Sequence, residues 1–418
     1  MAAPRQGTVS IFDISARAGA ATLAGLAILA AMLTMAPMIQ GQTLNVLYKF
    51  SGHGDGSTPY AGVTFDRQGR IYGTTCYGGA NQQGVVYRLT PENGSWVFSP
   101  IYTFGPVQSG DGQCPLARVV FGSDGLLYGT TSEGGAYGLG TVFSLQPPAT
   151  TCRSFLCPWK ETVLHNFDFA DGTDPGYGDL IFDQAGNIYG TAFNGGQGGG
   201  LVFELSRSGS GWTENVLYEF AYDNDTGDLP ASGVVFDSAG NLYGTTSLNG
   251  AHDNGSVYEL SPSPSGWTAT TLYSFTNADN GEGSGLLMDA QGNLFGIAGL
   301  FGAGEAYQLT PQGGSWYYKV LQAFTGTFDT GPVAPPTFDS QGNLYGPLPN
   351  SGSYEEGEIF KLTPSGNQWI YTPYYDFGST NVGAYPYGVV VFDANGNMYG
   401  TASGNIHGGY GTVWEITP

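Results

Sequence analysis

One phrase of the form F-D-x-x-G-N-L-Y-G-T recurs seven times along this chain of 418 residues, and it constrains the fold more than any other feature. The aromatic–glycine step of the phrase lies at Tyr72-Gly73, Tyr128-Gly129, Tyr189-Gly190, Tyr243-Gly244, Phe295-Gly296, Tyr345-Gly346 and Tyr399-Gly400. Successive copies are 56, 61, 54, 52, 50 and 54 residues apart. A period of this size is typical of propellers and related repeat arrays, in which one body uses the whole chain length.

Each copy contains four short apolar runs bounded by Gly, Asp and Asn. In the first copy these are Ala61–Asp66, the Ile-Tyr-Gly-Thr run that begins at Ile71, Gly84–Leu89 and Trp96–Phe104. Such runs, rich in Val, Tyr, Phe and Thr, are typical of β-strands, and no stretch after residue 42 shows sustained helical periodicity. The Asp-x-x-Gly-Asn residues between the first two runs predict a tight hairpin, so we interpret their aspartates as structural.

The two ends of the repeat region are complementary. Leu44–Phe50 matches the fourth run of a copy, whereas the seventh copy ends after its third run, Gly411–Thr417. Pairing of these two segments would complete the last sheet and remove an exposed edge. We therefore predict an all-β fold, a seven-bladed β-propeller with four antiparallel strands per blade, closed by an N-terminal strand (44–50) that pairs with the last repeat (411–417).

The composition supports many short strands and excludes one class of partner. Aromatic residues make up 14% of the chain and charged residues 11%, with 69 glycines, which fits aromatic strands joined by Gly-rich turns better than disorder. The formal net charge is -22, so the chain repels phosphate backbones and we expect no nucleic-acid partner. This acidity suits cations, basic partners or simply solubility outside the cell.

Residues 1–41 differ from the rest of the chain. Arg5 and Arg17 precede an apolar run, Ala18–Met38, with Pro37 near its end, which is the layout of a secretory signal peptide. The run is also long enough to span a bilayer, so an uncleaved N-terminal membrane anchor is the alternative. Both interpretations place residues 42–418, the predicted propeller, outside the cytoplasm, either secreted or at the cell surface. We expect membrane contact only through a retained N-terminal segment.

The combination of Phe-Asp-x-x-Gly-Asn-Leu-Tyr-Gly-Thr-Thr, Gly-Gly…Gly-Thr-Val-Phe-x-Leu and Trp-x-x-x-x-Leu-Tyr-x-Phe resembles the GloVer tandem repeat of exported bacterial proteins called choice-of-anchor proteins. The resemblance covers about residues 44–418 and implies export and surface display, but no established reaction. This chain ends at Ile416-Thr417-Pro418 without a sorting tail, so we expect free secretion or an N-terminal anchor. The Asp-x-x-Gly-Asn strand pair is also similar to that of lactonase-like and streptogramin-lyase-like propellers, which we attribute to shared hairpin chemistry.

By analogy with those propellers, the F-D strand is innermost and the Trp strand outermost. The loops between strands two and three, and those between strand four and the next blade, then share one face, here called the top face, where the central channel opens. We predict ligand binding at this channel mouth, with His53, Asp55, Asp111, Asp171, Asp223, Asp279, Asp329 and His407 as candidate ligand-binding residues. His53, Asp55 and His407 could together form a cation site or an acid/base pair. The alternative is that the aspartates only shape Asp-Gly turns.

The four cysteines test the same geometry. Cys76 and Cys114 fall in top-face loops of adjacent blades, whereas Cys152 and Cys157 lie in an insertion between strands three and four of the second blade, on the opposite face. Export permits disulfides, and this placement favours Cys76–Cys114 and Cys152–Cys157 among the three possible pairings. We expect no metal site built from the cysteines, because the two pairs lie on opposite faces.

The sequence contains no nucleophile elbow, no His-Glu-x-x-His, no phosphate loop and no dinucleotide fingerprint. We therefore predict a monomeric binding or scaffold module for a glycan or protein ligand at the channel mouth. The alternatives are an extracellular hydrolase or lyase with a cation-assisted site, and a purely structural coat or adhesion component. We expect no cofactor, with a divalent cation such as calcium as the alternative, and we assign no catalytic residues.

Differences between the blades would separate these functions. Equivalent pockets in every blade would favour a binder, whereas polar residues that depart from the repeat consensus at one mouth would favour an enzyme. The sequence shows modest asymmetry at blade six, where Pro332, Pro335 and Pro336 crowd the inner strand.

Overall fold

The computed structural model describes residues 42–148, 159–222, 226–276, 283–299, 303–325, 334–378, 383–404 and 409–418. The strands in these ranges form seven four-stranded antiparallel sheets and one small two-stranded sheet. The predicted seven-bladed β-propeller is therefore confirmed. Within the described ranges, no helix is long and apolar enough to span a membrane.

The first three blades follow β1 (Thr43–Lys49) in chain order. Blade one contains β2 (Thr64–Phe65), β3 (Ile71–Thr75), β4 (Val85–Glu92) and β5 (Ser95–Thr103). The two-stranded sheet is formed by β6 (Gly112–Gln113) and β9 (Glu133–Gly134), and blade two contains β7 (Val120–Phe121), β8 (Leu127–Thr131), β10 (Thr141–Gln146) and β11 (Lys160–Asn166). Blade three contains β12 (Ile181–Phe182), β13 (Ile188–Ala192), β14 (Gly198–Ser208) and β15 (Gly211–Ala221).

The remaining blades repeat the same order. Blade four contains β16 (Val235–Phe236), β17 (Leu242–Thr246), β18 (Ser256–Ser263) and β19 (Gly266–Ser274). Blade five contains β20 (Leu287–Met288), β21 (Leu294–Ala298), β22 (Ala303–Gln312) and β23 (Ser315–Thr325), and blade six contains β24 (Thr337–Phe338), β25 (Leu344–Leu348), β26 (Glu358–Ser365) and β27 (Gln368–Asp376). Blade seven contains β28 (Val391–Phe392), β29 (Met398–Ala402) and β30 (Thr412–Thr417), with β1 as its fourth strand.

The aromatic–glycine step of the repeat allows the second and third strands of each blade to pack. Every step glycine stands opposite a fully buried aromatic residue of the third strand, namely Tyr87, Phe143, Phe203, Tyr258, Tyr307, Phe360 and Trp414. A Cβ on Gly244 would lie 2.3 Å from the hydroxyl oxygen of Tyr258. The glycine therefore provides the space that the large ring occupies.

The Asp-x-x-Gly-Asn segments form the predicted hairpins between the first two strands. In blade four, Asp237 accepts hydrogen bonds from the backbone nitrogen of Asn241 at 2.9 Å and from its Nδ2 at 2.8 Å. Burial alone would raise the pKa of Asp237, but these hydrogen bonds lower it below its usual value. The structural interpretation of this aspartate therefore agrees with its contacts.

The ring closes as predicted. β1 pairs antiparallel with β30, and Leu44 faces Ile416 while Val46 faces Trp414. The Oγ1 of Thr401 in blade seven also donates a hydrogen bond to the carbonyl oxygen of Ala61 in blade one, at 2.7 Å. Both ends of the repeat region therefore belong to one sheet, and that sheet contacts the first blade directly.

The top-face loops pair with each other in the described parts of six blades. The loop that enters the blade forms a bridge with the loop between its second and third strands at Ser57–Tyr77, Thr173–Asn194, Asp228–Leu248 and Ala384–Gly404. It forms a bridge with the end of β21 at Gly283–Ala298, and β6 pairs with β9 in blade two. These contacts confirm that the two loop sets share one face. The innermost strand of blade one, β2, is shorter than the predicted Ala61–Asp66 segment, and Gly62, which precedes it, lies against Val389 of blade seven.

Candidate functional site

The innermost segments of all seven blades surround a cavity of about 730 Å³ in the central channel. Its wall includes Ala61-Gly62, Ala117-Arg118, Gly178-Asp179, Ser232-Gly233, Gly285-Leu286, Pro335-Pro336 and Gly388-Val389, which precede the seven first strands. Top-face loop residues, among them Tyr77, Ser132 and Asp174, also line the cavity. The cavity therefore lies at the top-face mouth of the channel, where we predicted ligand binding.

The residue two positions before each first strand lies where the blades come closest. A Cβ on Gly62 would lie 2.2 Å from the carbonyl oxygen of Val389, and a Cβ on Gly233 would lie 2.7 Å from that of Asp179. Small or rigid residues occupy this position in most blades: Gly62, Gly233, Gly285, Pro335 and Val389. Arg118 and Asp179 occupy it in blades two and three, so these adjacent blades depart from the pattern.

Arg118 and Asp179 form an ion pair in the cavity wall. The Nε of Arg118 donates to Oδ2 of Asp179 at 2.7 Å, Nη2 lies 2.6 Å from the same oxygen, and the backbone nitrogen of Arg118 donates to Oδ1 at 2.9 Å. The two side chains are only 23% and 25% exposed, so each has few alternative partners in solvent. This charge-assisted contact holds blades two and three together at the mouth.

Four tyrosines line the same side of the mouth. Tyr60, Tyr177 and Tyr387 each stand four positions before a first strand, and Tyr77 belongs to the second loop of blade one. The rings of Tyr60 and Tyr387 meet edge to face, with centroids 5.6 Å apart, whereas the ring of Tyr177 packs against Phe193 at 4.8 Å. Burial raises the pKa of Tyr60, and the nearby Tyr77 adds to the effect.

Two carboxylates lie beside Tyr177. Burial raises the pKa of Tyr177 first, and the negative charges of Asp174 and Glu133 raise it further. Both acidic residues line the cavity. Within the described part of the chain, neither forms an ion pair, and Arg118 is the only Lys or Arg in the cavity wall. The mouth therefore carries net negative charge.

The cavity is asymmetric. The tyrosines and charged residues belong to blades seven, one, two and three, whereas blades four, five and six contribute mainly small or apolar residues: Ala231, Ser232, Gly233, Gly285, Leu286, Ala334, Pro335 and Pro336. Pro335 and Pro336 of blade six, which the sequence singled out, thus belong to the small and apolar half of the cavity lining. In the described lining of the mouth, the tyrosines and the charged side chains are therefore concentrated in one half of the cavity.

The predicted disulfide Cys76–Cys114 is present at the edge of this site. It joins the second loop of blade one to the loop that enters blade two, and the two cysteines are 38 positions apart in sequence. Both cysteines are buried and line the cavity. The bond therefore fixes the loop that carries Tyr77 relative to the segment that leads to Arg118. Cys152 and Cys157, the second predicted pair, lie outside the described residues.

Asp55 and Asp111 lie in top-face loops, as predicted, but their carboxylates are used within those loops. Asp55 accepts a hydrogen bond from the hydroxyl of Tyr48 at 2.9 Å. Asp111 accepts one from the hydroxyl of Tyr102 at 2.7 Å and another from the backbone nitrogen of Gly105 at 2.6 Å. Neither aspartate lines the cavity. These contacts anchor each loop to an outermost strand, and a ligand-binding role for either residue stays a prediction.

Asp171 occupies the equivalent position in the loop that enters blade three. Its partner is His165, whose Nε2 lies 3.0 Å from Oδ2 of Asp171 and which stands at the strand position that Tyr48 and Tyr102 occupy in their blades. Burial lowers the pKa of His165, although the charge of Asp171 opposes this effect. His165 therefore belongs to a loop anchor on the outer strand, away from the cavity wall.

The other predicted site residues do not assemble in the described structure. Asp223, Asp279, Asp329 and His407 lie outside the described residues. His53 is exposed, and its Nδ1 lies 2.8 Å from the carbonyl oxygen of Ser51. The cation or acid/base site of His53, Asp55 and His407 stays a prediction. The described residues contain no group of three or more His, Cys, Asp or Glu that could hold a metal ion.

Sequence reasoning missed Arg118, Asp179 and the tyrosines of the mouth. The available signal was the alignment of the seven copies, in which Arg118 and Asp179 stand where other blades have small or rigid residues. That position becomes informative only when it is known to face the channel.

Comparison with known proteins identifies the repeat. A family model described as the Gloeobacter/Verrucomicrobia repeat matches residues 32–161 and 156–327. These matches span more than half of the 418 residues. The comparison with curated proteins gives no match.

Solved structures with a similar fold are distant in sequence. The extracellular domain of a protein described as a one-component system from B. thetaiotaomicron gives a TM-score of 0.52 at 12% identity, covering 90% of this chain and 42% of that one. This chain thus spans less than half the length of that neighbour. A protein from Thermus thermophilus described as an oxidoreductase (glucose dehydrogenase) gives a TM-score of 0.44 at 15% identity, covering 90% of this chain and 100% of that one. At 12% identity the first neighbour shows a shared fold alone.

Proposed function

Because this chain belongs to the Gloeobacter/Verrucomicrobia repeat family and has one asymmetric cavity at its channel mouth, we propose that it is an exported binding module. We propose further that the mouth takes a positively charged group of the ligand. The observation that carries this proposal is the concentration of tyrosines and carboxylates without an ion-pair partner in blades seven, one, two and three.

The chemistry of this half of the mouth suits an ammonium or guanidinium group. The faces of Tyr60, Tyr77 and Tyr177 offer negative electrostatic potential to a cation. Glu133 and Asp174 can accept charge-assisted hydrogen bonds from the same group. Because Arg118 is already paired with Asp179, it does not cancel the charge of these two carboxylates. An anionic group would be repelled here.

The rigidity of the mouth also supports a binding role. The disulfide Cys76–Cys114 and the Arg118–Asp179 ion pair hold the loops of blades one, two and three in place. A preformed site loses little conformational freedom when the ligand binds, so more of the contact energy appears as affinity. The disulfide further supports export, since such bonds persist in oxidising compartments.

The test is calorimetric titration with synthetic probes of defined charge: octalysine, a fully deacetylated chitosan octamer, neutral cellohexaose and octaglutamate. We expect the two cationic probes to bind and the other two not to bind. Asp174→Asn should weaken binding of the cationic probes about tenfold, because it removes a carboxylate from the mouth. Glu92→Gln is the matched control, because it removes one exposed negative charge from a hairpin on the opposite face. Equal weakening by both variants would contradict the proposal.

A hydrolase or lyase is the second candidate, because the polar residues that depart from the repeat consensus are concentrated at one mouth. A binding role needs only a complementary surface, whereas catalysis also needs a nucleophile or a proton-transfer pair at a defined distance from the substrate. The same probes distinguish the two. Cleavage products that form with the native protein and disappear with Glu133→Gln and Asp174→Asn would favour the enzyme.

A further inference from the structure

Exposed aromatic side chains are concentrated on the top face. Among the described residues, the exposed aromatic residues of that face are Tyr77, Tyr137, Phe169, Tyr222, Tyr354 and Tyr410, here called the aromatic crown. Their side chains are 47% to 65% exposed. One further exposed ring, Tyr317, lies on the outermost strand of blade five. Such a bias toward the face that carries the cavity indicates an interaction surface.

Three rings of the crown pack against a glycine of the neighbouring top-face loop. A Cβ on Gly52 would lie 2.3 Å from the ring of Tyr410, and a Cβ on Gly378 would lie 2.7 Å from the ring of Tyr354. Tyr222 packs in the same way against Gly198, at 2.4 Å. One side of each ring therefore rests on backbone while much of the ring remains exposed to solvent. These rings are oriented before any partner arrives, which reduces the entropy lost on binding.

The loops around the crown are strongly acidic. Glu133, Asp253 and Glu355 are exposed in these loops and Asp174 is half-buried at the mouth. Arg118, which pairs with Asp179, is the only Lys or Arg in the described parts of these loops. Glu355 directly follows Tyr354 in the chain, and Glu133 shares a loop with Tyr137. Rings and carboxylates are thus interleaved on one face, which complements a basic partner.

We propose that the aromatic crown binds an arginine-rich polypeptide segment of a partner protein, which continues outward from the cationic group held in the mouth. This inference rests on the proposed function. A guanidinium group can stack its plane on a tyrosine ring while its N–H groups donate to a neighbouring carboxylate, and a lysine ammonium cannot do both. The loops are rich in Tyr, Ser, Gly and Asn, the composition typical of protein-binding loops, which favours a polypeptide over a glycan.

The test compares octaarginine with octalysine on the full chain at one salt concentration. The two peptides carry the same charge, so attraction to the net charge of -22 contributes equally to both. We expect octaarginine to bind at least about fivefold more tightly, because only guanidinium groups stack on the rings. The preference should persist at higher salt, where the general electrostatic attraction weakens.

Variants connect this preference to the crown. The combined variant Tyr222→Ala, Tyr354→Ala, Tyr410→Ala should bind both peptides equally, whereas the same three residues changed to Phe should keep the preference for arginine. Tyr317→Ala is the matched control, because it removes an exposed ring from an outer strand. If the triple alanine variant does not fold, the phenylalanine variant and the three single alanine variants still measure the effect.

Three outcomes would overturn the inference. The first is equal affinity of the native protein for octaarginine and octalysine, and the second is a preference that the triple alanine variant retains. The third is that the chitosan octamer binds more tightly than octaarginine and loses this affinity in the triple alanine variant. That result would identify a basic glycan as the partner. The proposed function is tested separately by Asp174→Asn, which should weaken the binding of octaarginine and of octalysine by the same factor. Loss of the arginine preference alone therefore leaves the mouth assignment intact.

Discussion

The hydroxyl groups of Tyr87, Tyr258 and Tyr307 are an unusual feature at the scale of single residues. Each is buried and has no hydrogen-bond partner among the described residues. In blade four the hydroxyl lies above Gly244, and burial raises the pKa of Tyr258 far above its usual value. An unsatisfied buried hydroxyl destabilises the folded state, since the same group would be hydrated in the unfolded chain. Blades two, three and six have Phe at this position.

We expect Tyr258→Phe to raise the free energy of unfolding by about 1 kcal/mol, because it removes an unsatisfied polar atom and keeps the ring. Urea denaturation of the purified protein measures the change. Tyr243→Phe is the control, for which we expect the opposite change in stability. The hydroxyl of Tyr243 donates a hydrogen bond to Asp237 at 3.2 Å, so its removal should lower the free energy of unfolding. A loss of stability in both variants would show that the Tyr258 hydroxyl has a favourable partner.

At the scale of the strand, the fourth strands of blades two and three differ from the others. Glu161 and Glu214 stand two residues after the strand-opening Trp, where other blades have Phe98, Ala269, Tyr318 and Tyr371. Oε1 of each glutamate is buried without a hydrogen-bond partner among the described residues. Burial raises the pKa of each to about 7, and nearby aspartates add to the shift. The repeat thus tolerates an acid where an aromatic ring is usual.

This pair should make stability depend on pH. Because the folded state raises the pKa of Glu161 from 4.5 to about 7, it binds the proton more tightly than the unfolded chain does. The corresponding stability is present below pH 4.5 and is lost as the pH rises through about 7. We expect Glu161→Gln to flatten the change of melting temperature between these pH values. At pH 8 the variant should be more stable by about 1 kcal/mol, a figure reduced for partial exposure.

Thermal unfolding followed by circular dichroism across this pH range provides the measurement, with Glu92→Gln as the exposed control. Glu214→Gln should behave like Glu161→Gln, since burial dominates both shifts. If the melting temperature changed with pH in the same way for the native protein, Glu161→Gln and Glu214→Gln, these two carboxyl groups would have normal pKa values.

At the scale of the whole molecule, the closure of the ring determines the site. β1 completes the seventh sheet, and blade seven then contacts blade one through Thr401 and Ala61. The same contact brings Tyr387 beside Tyr60 at the mouth. Stability and site geometry therefore depend on one pairing between the two ends of the repeat region.

We expect a protein without residues 42–50 to melt at least about 10 °C lower than the chain that contains them, and to self-associate, because β30 becomes an exposed edge. Melting curves and size-exclusion chromatography measure both effects. A synthetic peptide of residues 42–50 should restore part of the stability by occupying the edge in trans. An unchanged melting temperature would mean that the closing strand contributes little.

The accuracy of the sequence predictions varied with how local each feature is. The strands, the Asp237 hairpin and the closing pair β1–β30 were predicted, because each leaves a repeated pattern in the chain. Cys76–Cys114 was also predicted, since the repeat places both cysteines on one face. The candidate aspartates were chosen because they recur, yet Asp55 and Asp111 anchor loops. The ion pair in the cavity wall is formed instead by Arg118 and Asp179, which break the repeat.

The sequence by itself determined the blade, the number of blades and the face on which the loops gather, because short-range hydrogen bonding and apolar alternation repeat with the chain. Only the tertiary structure decided which side chains meet at the mouth. Arg118 and Asp179 are 61 residues apart, and no local pattern joins them. They meet because closing seven twisted sheets into a ring brings equivalent positions of neighbouring blades to the axis, where space admits few side chains.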